Sequence, residues 1–390
     1  MRRLPALLFL TLLAPPCAAQ RAAPHAERVL VVTLDGARWQ EIFGGAAREL
    51  ISRDPGGVSD TSALLARFYR PDPAARRSTL MPFLWGTIAR EGFLLGDSTL
   101  GQTVRVTNGK WFSYPGYNEL LTGSADDRID SNDKVRNPNV SVLEWLNGQP
   151  GFRGRVAAFG SWDVLPFILD TARSHLPANG DGPPVVNPQT PADHALNALA
   201  ADLPPYWGAV RFDAVTTAGA LHYLRTRKPR VLYVMLGDSD EWAHERRYDL
   251  YLDALWRGDR FLRDLWEAAQ AMPEYRGRTA LLVTTDHGRG SGRAWTDHGR
   301  NVPAAVRVWV AGISPGIGNR ESGVGSRESG VGNRESGIGN REVTAGTHHA
   351  TAAALQKSRL GIPTPDSRLP VADCRLPVPE SRFPIPDSRL

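Results

Sequence analysis

Two stretches of the sequence carry carboxylates and histidines at spacings that suit metal binding. Asp240 and His244 lie four residues apart, which places both side chains on one face of a helical turn, where they can share an ion. Asp286 and His287 are adjacent at the end of an apolar stretch, and His298 follows shortly afterwards. These side chains are nitrogen and oxygen donors of the kind that divalent transition metals accept.

A further carboxylate, Asp35, stands directly after the apolar run Val29–Leu34. Ligands of layered α/β proteins gather at the carboxyl ends of the strands, so we expect Asp35 to belong to the same site as the two stretches above. Three histidines and three carboxylates in such loops predict two zinc-like ions held by mixed nitrogen and oxygen ligands.

The candidate nucleophile is Ser113, in the segment Phe112–Gly123. Pro115 suits the first turn of a helix, so Ser113 is predicted to stand at a helix N-terminus. Backbone N–H groups have no helical partner there, and they favour an anionic ligand. The alternative interpretation of Ser113 is an ordinary helix-capping serine.

Apolar runs alternate with amphipathic segments along most of the chain. Val29–Leu34, Val231–Leu236 and Thr279–Thr285 are nearly continuous apolar runs, typical of strands buried on both faces. Ala209–Arg227 and Trp242–Met272 have helical periodicity. The alternation predicts an α/β fold, a three-layer αβα sandwich around a largely parallel central sheet.

The order of the candidate residues resembles the alkaline phosphatase superfamily. An aspartate, a serine, an Asp-x-x-x-His pair, an Asp-His-Gly motif and a last histidine follow one another between Val29 and Ala311. The resemblance is closest to the nucleotide pyrophosphatase/phosphodiesterase branch and its bacterial relatives. Their nucleophile segment runs Thr-Phe-Pro-Asn followed by Thr-Gly, and Ser113–Gly116 with Thr122–Gly123 matches it in form.

The resemblance implies a role for each candidate. One divalent ion, with Zn²⁺ the expected metal, would be surrounded by Asp35, Ser113, Asp286 and His287, and a second by Asp240, His244 and His298. Ser113 would attack phosphorus in line, and water would release phosphate from the phosphoseryl enzyme. The implied protein is a phosphatase or phosphodiesterase whose partner is a small phosphate ester.

Several positions in this assignment stay open. The last histidine ligand is His298 or one of the pair His348 and His349, and His298 is preferred because it follows the Asp-His-Gly motif closely. Asn132 and Lys110 are candidate contacts to the transferred phosphoryl group.

Three other functions are alternatives. Sulfatases that make formylglycine carry Cys or Ser followed by x-Pro-x-Arg, whereas Tyr117 occupies the arginine position here. A cofactor-independent phosphoglycerate mutase belongs to the same superfamily. It is a glycolytic enzyme, however, whereas residues 1–19 of this chain predict export. A metal-bound envelope protein without catalytic activity is the alternative from a different class.

Both ends of the chain are expected to lie outside a catalytic domain at 27–315. Residues 1–19 combine Arg2 and Arg3 with a short apolar stretch and small residues, typical of a signal peptide that exports the protein to the periplasm or beyond. We predict no transmembrane segment in the mature chain, because that stretch is shorter than the about 20 residues a span needs. A glycine-rich seven-residue unit repeats over 316–342 and is predicted to be an insertion, after which the domain is expected to resume with its last helix over 343–356. A proline-rich tail, predicted to be disordered, covers 357–390.

Composition limits the remaining functions. The chain has 390 residues, 42% of them hydrophobic, which suits a packed domain. Its formal net charge of +5 is not organised into a basic stripe, so no nucleic-acid-binding surface is predicted. Removal of the signal peptide would leave Cys374 as a single cysteine, so core packing and bound metal are expected to stabilise the protein without internal disulfides.

Overall fold

A mixed sheet forms the centre of the molecule. The computed structural model describes residues 25–180, 182 and 184–316, and the strands within them are β1 Arg28–Leu34, β2 Phe93–Leu95, β3 Val104–Arg105, β4 Val156–Gly160, β5 Ala178–Asn179, β6 Val231–Leu236, β7 Thr279–Thr284, β8 Arg307–Val308 and β9 Val310–Ile313. Seven of these strands pair in the order β2-β9-β7-β1-β6-β4-β5, and β3 pairs with β8 separately.

The middle of the sheet is parallel, as the sequence predicts. β1 lies between β6 and β7 and is parallel to both, with Leu34 opposite Leu236 and Thr33 opposite Thr284. β9 is antiparallel to β7 and to β2 at one edge. The registers bring the carboxyl ends of β1, β6 and β7 to the same edge of the sheet.

Helices cover the sheet and its connections. They are α1 Trp39–Gly44, α2 Thr61–Phe68, α3 Pro73–Leu80, α4 Ala89–Glu91, α5 Ser113–Thr122, α6 Val142–Asn147, α7 Leu165–Ile168, α8 Thr171–Ser174, α9 Pro191–Asp202, α10 Asp213–Arg227, α11 Asp238–His244 and α12 Tyr248–Ala271. A π-helical segment, Leu84–Ile88, precedes α4, and short 3₁₀ turns cover Arg48–Leu50, Ser98–Leu100, Gly292–Ala294 and Pro303–Val306. No described helix is both long and apolar enough to cross a membrane.

Strand β6 shows how the three layers are built. Leu232, Val234 and Leu236 belong to the core that includes the buried residues of α12, whereas Tyr233 and Met235 belong to the core with residues of α5 and α7. Alternate residues of one strand therefore pack against helices on opposite faces. The predicted three-layer α/β architecture is confirmed.

The sequence predicts one continuous helix over Trp242–Met272, and that prediction is wrong. The structure has two helices there, α11 and α12, separated at a turn in which Arg246 adopts a left-handed φ of 55°. Tyr248 begins the second helix and donates its backbone N–H to Gly56 O at 2.9 Å. A contact with a loop that is distant in sequence thus accompanies the break between the two helices. Helical periodicity alone does not predict such a contact.

Several predicted segments lie outside the described residues. They are the signal peptide 1–19, nearly all of the glycine-rich repeat 316–342, the resumed helix 343–356 and the tail 357–390. His348 and His349 are among them, so the choice between these histidines and His298 stays a prediction.

Candidate metal-binding active site

The candidate ligands meet at the carboxyl edge of the three central strands. Asp35 is the residue after β1, Asp240 is in α11 directly beyond β6, and Asp286 and His287 follow β7 closely. Because β6, β1 and β7 are neighbours in the sheet, three segments far apart in sequence converge at one place.

The first ligand group, Asp35, Asp286 and His287, is buried and compact. His287 Nε2 lies 3.3 Å from Asp35 Oδ1 and 3.5 Å from Asp286 Oδ2. One donor atom from each of the three residues falls within 4.8 Å of the others, a spacing that suits a shared ion. His287 Nδ1 faces Gly288 O at 2.9 Å, which fixes the ring and turns Nε2 towards the carboxylates.

Ser113 stands beside this first group at the start of α5. Its Oγ lies 3.5 Å from Asp35 Oδ1 and 3.4 Å from His287 Nε2. α5 can approach so closely because Gly116 has no side chain: a Cβ there would be 2.4 Å from the backbone oxygen of Asp286. The predicted helix N-terminus is found, and the serine hydroxyl is held next to the candidate ligands.

The second ligand group, Asp240, His244 and His298, lies next to the first. His244 Nε2 is 3.0 Å from Asp240 Oδ2, and His298 Nε2 is 3.1 Å from His244 Nε2. His298 also stacks on the ring of His287 with centroids 4.2 Å apart, so the two groups share a boundary. Asp240, His287 and His298 form a second set of donors within 4.8 Å of one another.

Arg289 adds a cation that sequence reasoning missed. Its fully buried guanidinium donates to the Asp240 carboxylate, to the Asp240 backbone oxygen at 3.1 Å, and to the backbone oxygen of Thr296. Gly36, at a φ of 58°, leaves room for this pair, because a Cβ there would be 2.5 Å from Asp240 Oδ1 and 2.7 Å from Arg289 Nε.

Tyr117 was also missed as a site residue. Its hydroxyl donates to Asp35 Oδ2 at 2.8 Å in a fully buried position. The sequence signal was present, because Tyr117 lies one helical turn after Ser113 and therefore on the same face of α5. Arg289 likewise follows the Asp-His-Gly motif directly, but its partner is 49 residues away.

Burial and neighbouring carboxylates together oppose ionisation of the carboxyls in the first group. Burial, followed by the nearby Asp240 carboxylate, raises the pKa of Asp35, and burial followed by Asp35 raises the pKa of Asp286 well above its usual range. Burial lowers the pKa of His287, but Asp286 and Asp35 outweigh burial and raise that pKa to about 9.

In the second group, nearby basic side chains balance the charge of the carboxylate. Burial opposes ionisation of Asp240, yet Arg289 and then His244 hold the pKa of that carboxyl well below its usual range. Burial and the neighbouring His287 lower the pKa of His298 to about 2, so its imidazole is neutral and able to donate a lone pair.

The residues present fit divalent ions. Asp286 Oδ2 is buried and accepts no hydrogen bond from the described protein, which is costly for a charged oxygen. A cation at this position would supply the missing partner and relieve the repulsion between Asp35 and Asp286. The donor set of carboxylate oxygens and imidazole nitrogens is the type that binds zinc and similar metals.

An open cavity of about 430 Å³ leads to the two groups. Its lining includes Ser113, His244, His298 and Asn132, the last of which accepts a hydrogen bond from the backbone N–H of Tyr114 at 3.0 Å. Lys110 is not among the described lining residues: its Nζ donates to the backbone oxygen of Asp127 at 2.9 Å. The structure thus brings Asn132 to the cavity and gives Lys110 a partner elsewhere.

Comparison with known proteins gives structural similarities only. No protein-family model and no curated protein sequence matches the chain. A protein of the alkaline phosphatase superfamily from Vibrio parahaemolyticus is similar at 12% identity and a TM-score of 0.45, over 76% of this chain and 64% of that one. TAB5 alkaline phosphatase, a His 135 Glu mutant with bound Mg, is similar at 12% identity and a TM-score of 0.42, over 76% of this chain and 93% of that one.

The C-terminal periplasmic domain of EptC from Escherichia coli, in complex with Zn, is similar at 10% identity and a TM-score of 0.41, over 75% of this chain and 74% of that one. Similarity at this level carries no argument about activity, and the finer resemblance to the nucleotide pyrophosphatase/phosphodiesterase branch stays a prediction. The solved structures to which this chain is similar include members of the alkaline phosphatase superfamily, the family that its motifs resemble.

Proposed function

We propose that the protein is an exported hydrolase of phosphate esters that uses two divalent metal ions, with zinc the expected metal, and Ser113 as its nucleophile. The observation that carries the proposal is the position of Ser113 Oγ, 3.4 Å from His287 Nε2 and 3.5 Å from Asp35 Oδ1 at the N-terminus of α5. An ordinary helix-capping serine has no need of a buried cluster of carboxylates and imidazoles beside its hydroxyl.

The two ligand groups have separate tasks in this proposal. Asp35, Asp286 and His287 would hold one ion next to Ser113, and Asp240, His244 and His298 would hold the other at the open cavity. Ions bound there would lower the pKa of the serine hydroxyl and of a water molecule, and would stabilise charge on the oxygens of an in-line displacement.

The protein side chains then account for the covalent steps. Ser113 Oγ forms a bond to phosphorus as the bond from phosphorus to the ester oxygen breaks, and the departing alcohol takes up a proton. A water molecule later displaces Ser113 from phosphorus, which releases inorganic phosphate when the substrate is a monoester, or the remaining monoester when it is a diester, and a proton from the water restores the serine hydroxyl. The positive N-terminus of α5 favours the anionic phosphoryl group beside Ser113 throughout.

Activity assays with Ser113→Ala test the proposal. The zinc-loaded protein would be assayed with nitrophenyl phosphate, bis-nitrophenyl phosphate and nitrophenyl sulfate. We expect turnover of a phosphate ester that falls by about 10³-fold or more in Ser113→Ala, because removal of a nucleophile eliminates the covalent route. A chelator should abolish the same activity.

Ser141→Ala is the matched control. Ser141 is another buried serine at the start of a helix, where its side chain caps α6 and lies outside the catalytic cavity. Its variant should retain wild-type turnover. Hydrolysis of the sulfate ester alone would replace the proposal with sulfatase activity, and two bound ions without turnover of any ester would indicate a binding protein.

A further inference from the structure

Trp111 has an unusual backbone conformation shortly before the nucleophile. Its φ is 54°, in the left-handed region that bulky side chains rarely adopt. His175, Lys228 and Arg246 share this region, but each follows a helix, where a left-handed residue commonly ends the helix. Asp170 also shares it and is of a residue type that adopts it more readily. Trp111 instead precedes α5 by two residues, so surrounding contacts must impose its strained conformation.

Hydrogen bonds on both sides of Trp111 hold it in place. Its backbone N–H donates to Asn108 Oδ1 at 2.9 Å, and its backbone oxygen accepts a hydrogen bond from the N–H of Gly299 at 2.9 Å. Asn108 Oδ1 also accepts a hydrogen bond from the backbone N–H of Lys110 at 2.8 Å, so one side-chain oxygen binds two successive N–H groups. The indole packs against an apolar cluster that includes residues of β3, β8 and β9.

Asn108 is itself fixed to the helix that carries the nucleophile. Its Nδ2 and its backbone N–H both donate to Glu119 Oε2 at 3.0 Å. Glu119 is buried in α5, and its other carboxylate oxygen accepts hydrogen bonds from the backbone N–H and the hydroxyl of Thr107 at 2.8 Å. α5 therefore holds both ends of the intervening segment: Ser113 begins the helix, and Glu119 binds the first residues of the segment. The conformation of Trp111 then decides how the chain enters α5.

The same turn connects the nucleophile to the second ligand group. Gly299, whose N–H binds the Trp111 backbone oxygen, directly follows His298 in the chain. On the other side of the turn, Ser113 Oγ lies 3.4 Å from Nε2 of His287. A change of conformation at Trp111 would therefore act on the nucleophile and on the loop of a candidate ligand together.

We propose that Asn108 is a positioning residue: it holds Trp111 in the left-handed conformation, and that conformation places Ser113 beside the ligand groups. Because it concerns the nucleophile, this role rests on the proposed function. Asn108 is buried and is absent from the described lining of the catalytic cavity, so it acts through the backbone and does not touch the substrate. Displacement of a reacting group by about 1 Å can lower the rate about 100-fold, so such placement matters.

The pair Trp111→Gly and Trp111→Val tests the backbone conformation in the zinc-loaded full chain. Both variants lack the indole, but glycine adopts a left-handed φ freely, whereas the β-branched side chain of valine strongly disfavours it. For the phosphate ester that the wild type hydrolyses faster, we expect kcat of Trp111→Val to be about 10- to 100-fold below that of Trp111→Gly. The two KM values should agree within about 3-fold, because the residues that bind the substrate and the metal ions are the same. Equal kcat values in the two variants would overturn the role of the left-handed turn.

Asn108→Ala removes the side chain that holds the turn, and kcat should again fall by about 10- to 100-fold at nearly constant KM. Asn197→Ala is the matched control, because Asn197 Oδ1 likewise accepts hydrogen bonds from two successive backbone N–H groups, those of Val185 and Val186, outside the catalytic cavity. Each substitution should lower the melting temperature, but Asn197→Ala should keep the wild-type kcat. A lower melting temperature with an unchanged kcat in Asn108→Ala would show that Asn108 only stabilises the fold and would overturn the proposal.

Hydrogen exchange at Gly299 separates failure of this role from failure of the proposed function, because it needs no turnover. The peptide that contains Gly299 should exchange at least about 10-fold faster in Asn108→Ala and Trp111→Val than in the wild type or Asn197→Ala, since the Trp111 acceptor then moves away. If the wild type hydrolyses neither ester, faster exchange in these two variants would still support Asn108 as the residue that positions the turn. Unchanged exchange would overturn that role, whatever the activity.

Discussion

The two ligand groups have similar donors but different ways of balancing their charge. In the first group, Asp286 and His287 are almost completely buried. Burial is the main cause that raises the pKa values of Asp35 and Asp286, and a neighbouring carboxylate adds to it in each case, Asp240 for Asp35 and Asp35 for Asp286. In the second group, Asp240 is paired with the buried Arg289, and His244 is 46% exposed towards the cavity. Asp240 is thus paired with a permanent cation, whereas the carboxyls of the first group lie beside the titratable imidazole of His287.

This difference predicts an order of metal affinity. A cation entering the first group gains two carboxylates that repel each other without it, whereas a cation entering the second meets a carboxylate already bound to Arg289. We therefore expect the first group to bind its ion more tightly. It also follows that ionisation of the Asp35 and Asp286 carboxyls destabilises the metal-free protein, whereas ionisation of the Asp240 carboxyl stabilises it.

Asp240→Asn should give the largest change in the metal-free protein. The substitution removes the negative charge that faces the buried Arg289, and an uncompensated buried charge typically costs about 3–5 kcal/mol. Urea unfolding in the presence of a chelator would measure the loss of free energy of unfolding. The pair Asp240→Asn with Arg289→Met should recover part of it, because no buried guanidinium remains.

Asp249→Asn provides the matched comparison. Asp249 pairs with Arg247 at 2.8 Å, but the arginine side chain is 41% exposed, so we expect a loss below about 1 kcal/mol. A similar small loss for Asp240→Asn would contradict the idea that Arg289 is the resident cation of the second group.

Asp286→Asn should have the opposite sign in the metal-free protein. Its pKa is raised on folding, so the native state binds the Asp286 proton more tightly than the unfolded state does, and stability falls as the pH rises above the ordinary value of 3.8. At pH 8 the wild type must either bury a charge at Asp286 or keep a proton that the unfolded state has lost, whereas asparagine does neither, so the substitution should stabilise the chelated protein by about 1–3 kcal/mol. At pH 5 the gain should be smaller, because the pH is then closer to the ordinary value of 3.8.

Thermal unfolding of the chelated wild type and of chelated Asp286→Asn from pH 5 to pH 8 would measure this difference in stability. Titration with zinc would then compare how strongly the ion stabilises each of the two proteins. Zinc should raise the melting temperature of the wild type more than that of Asp286→Asn, which lacks a charged ligand of the first group. Destabilisation of the chelated Asp286→Asn protein at pH 8 would show that the Asp286 charge is not repelled by its neighbours in the folded protein.

The sequence predicted the fold better than the charge balance of the site. Continuous apolar runs identified β1, β6 and β7, and the position of polar residues after them indicated the candidate ligands. The contact between Arg289 and Asp240 depends instead on which strands are neighbours, and that order is not written in local periodicity. Lys110 and Lys134 are both loop lysines in the sequence, and only the path of the chain decides which one reaches the cavity.

Among the changes at the two ligand groups, Ser239→Ala should give the smallest effect, and it would test whether the groups depend on each other. Ser239 lies in α11 with Asp240 and donates its hydroxyl to the backbone oxygen of Asp35 at 2.6 Å, which connects the second group to the first. Loss of one buried hydrogen bond should lower the free energy of unfolding by about 1 kcal/mol. If the groups act independently, binding of the first ion will stay unchanged in calorimetry, since Asp35, Asp286 and His287 are intact. A parallel loss of affinity for both ions would show that α11 and β1 position the two groups as one unit. Ion binding would then depend less on the difference in charge balance between the groups than on the contact between α11 and β1.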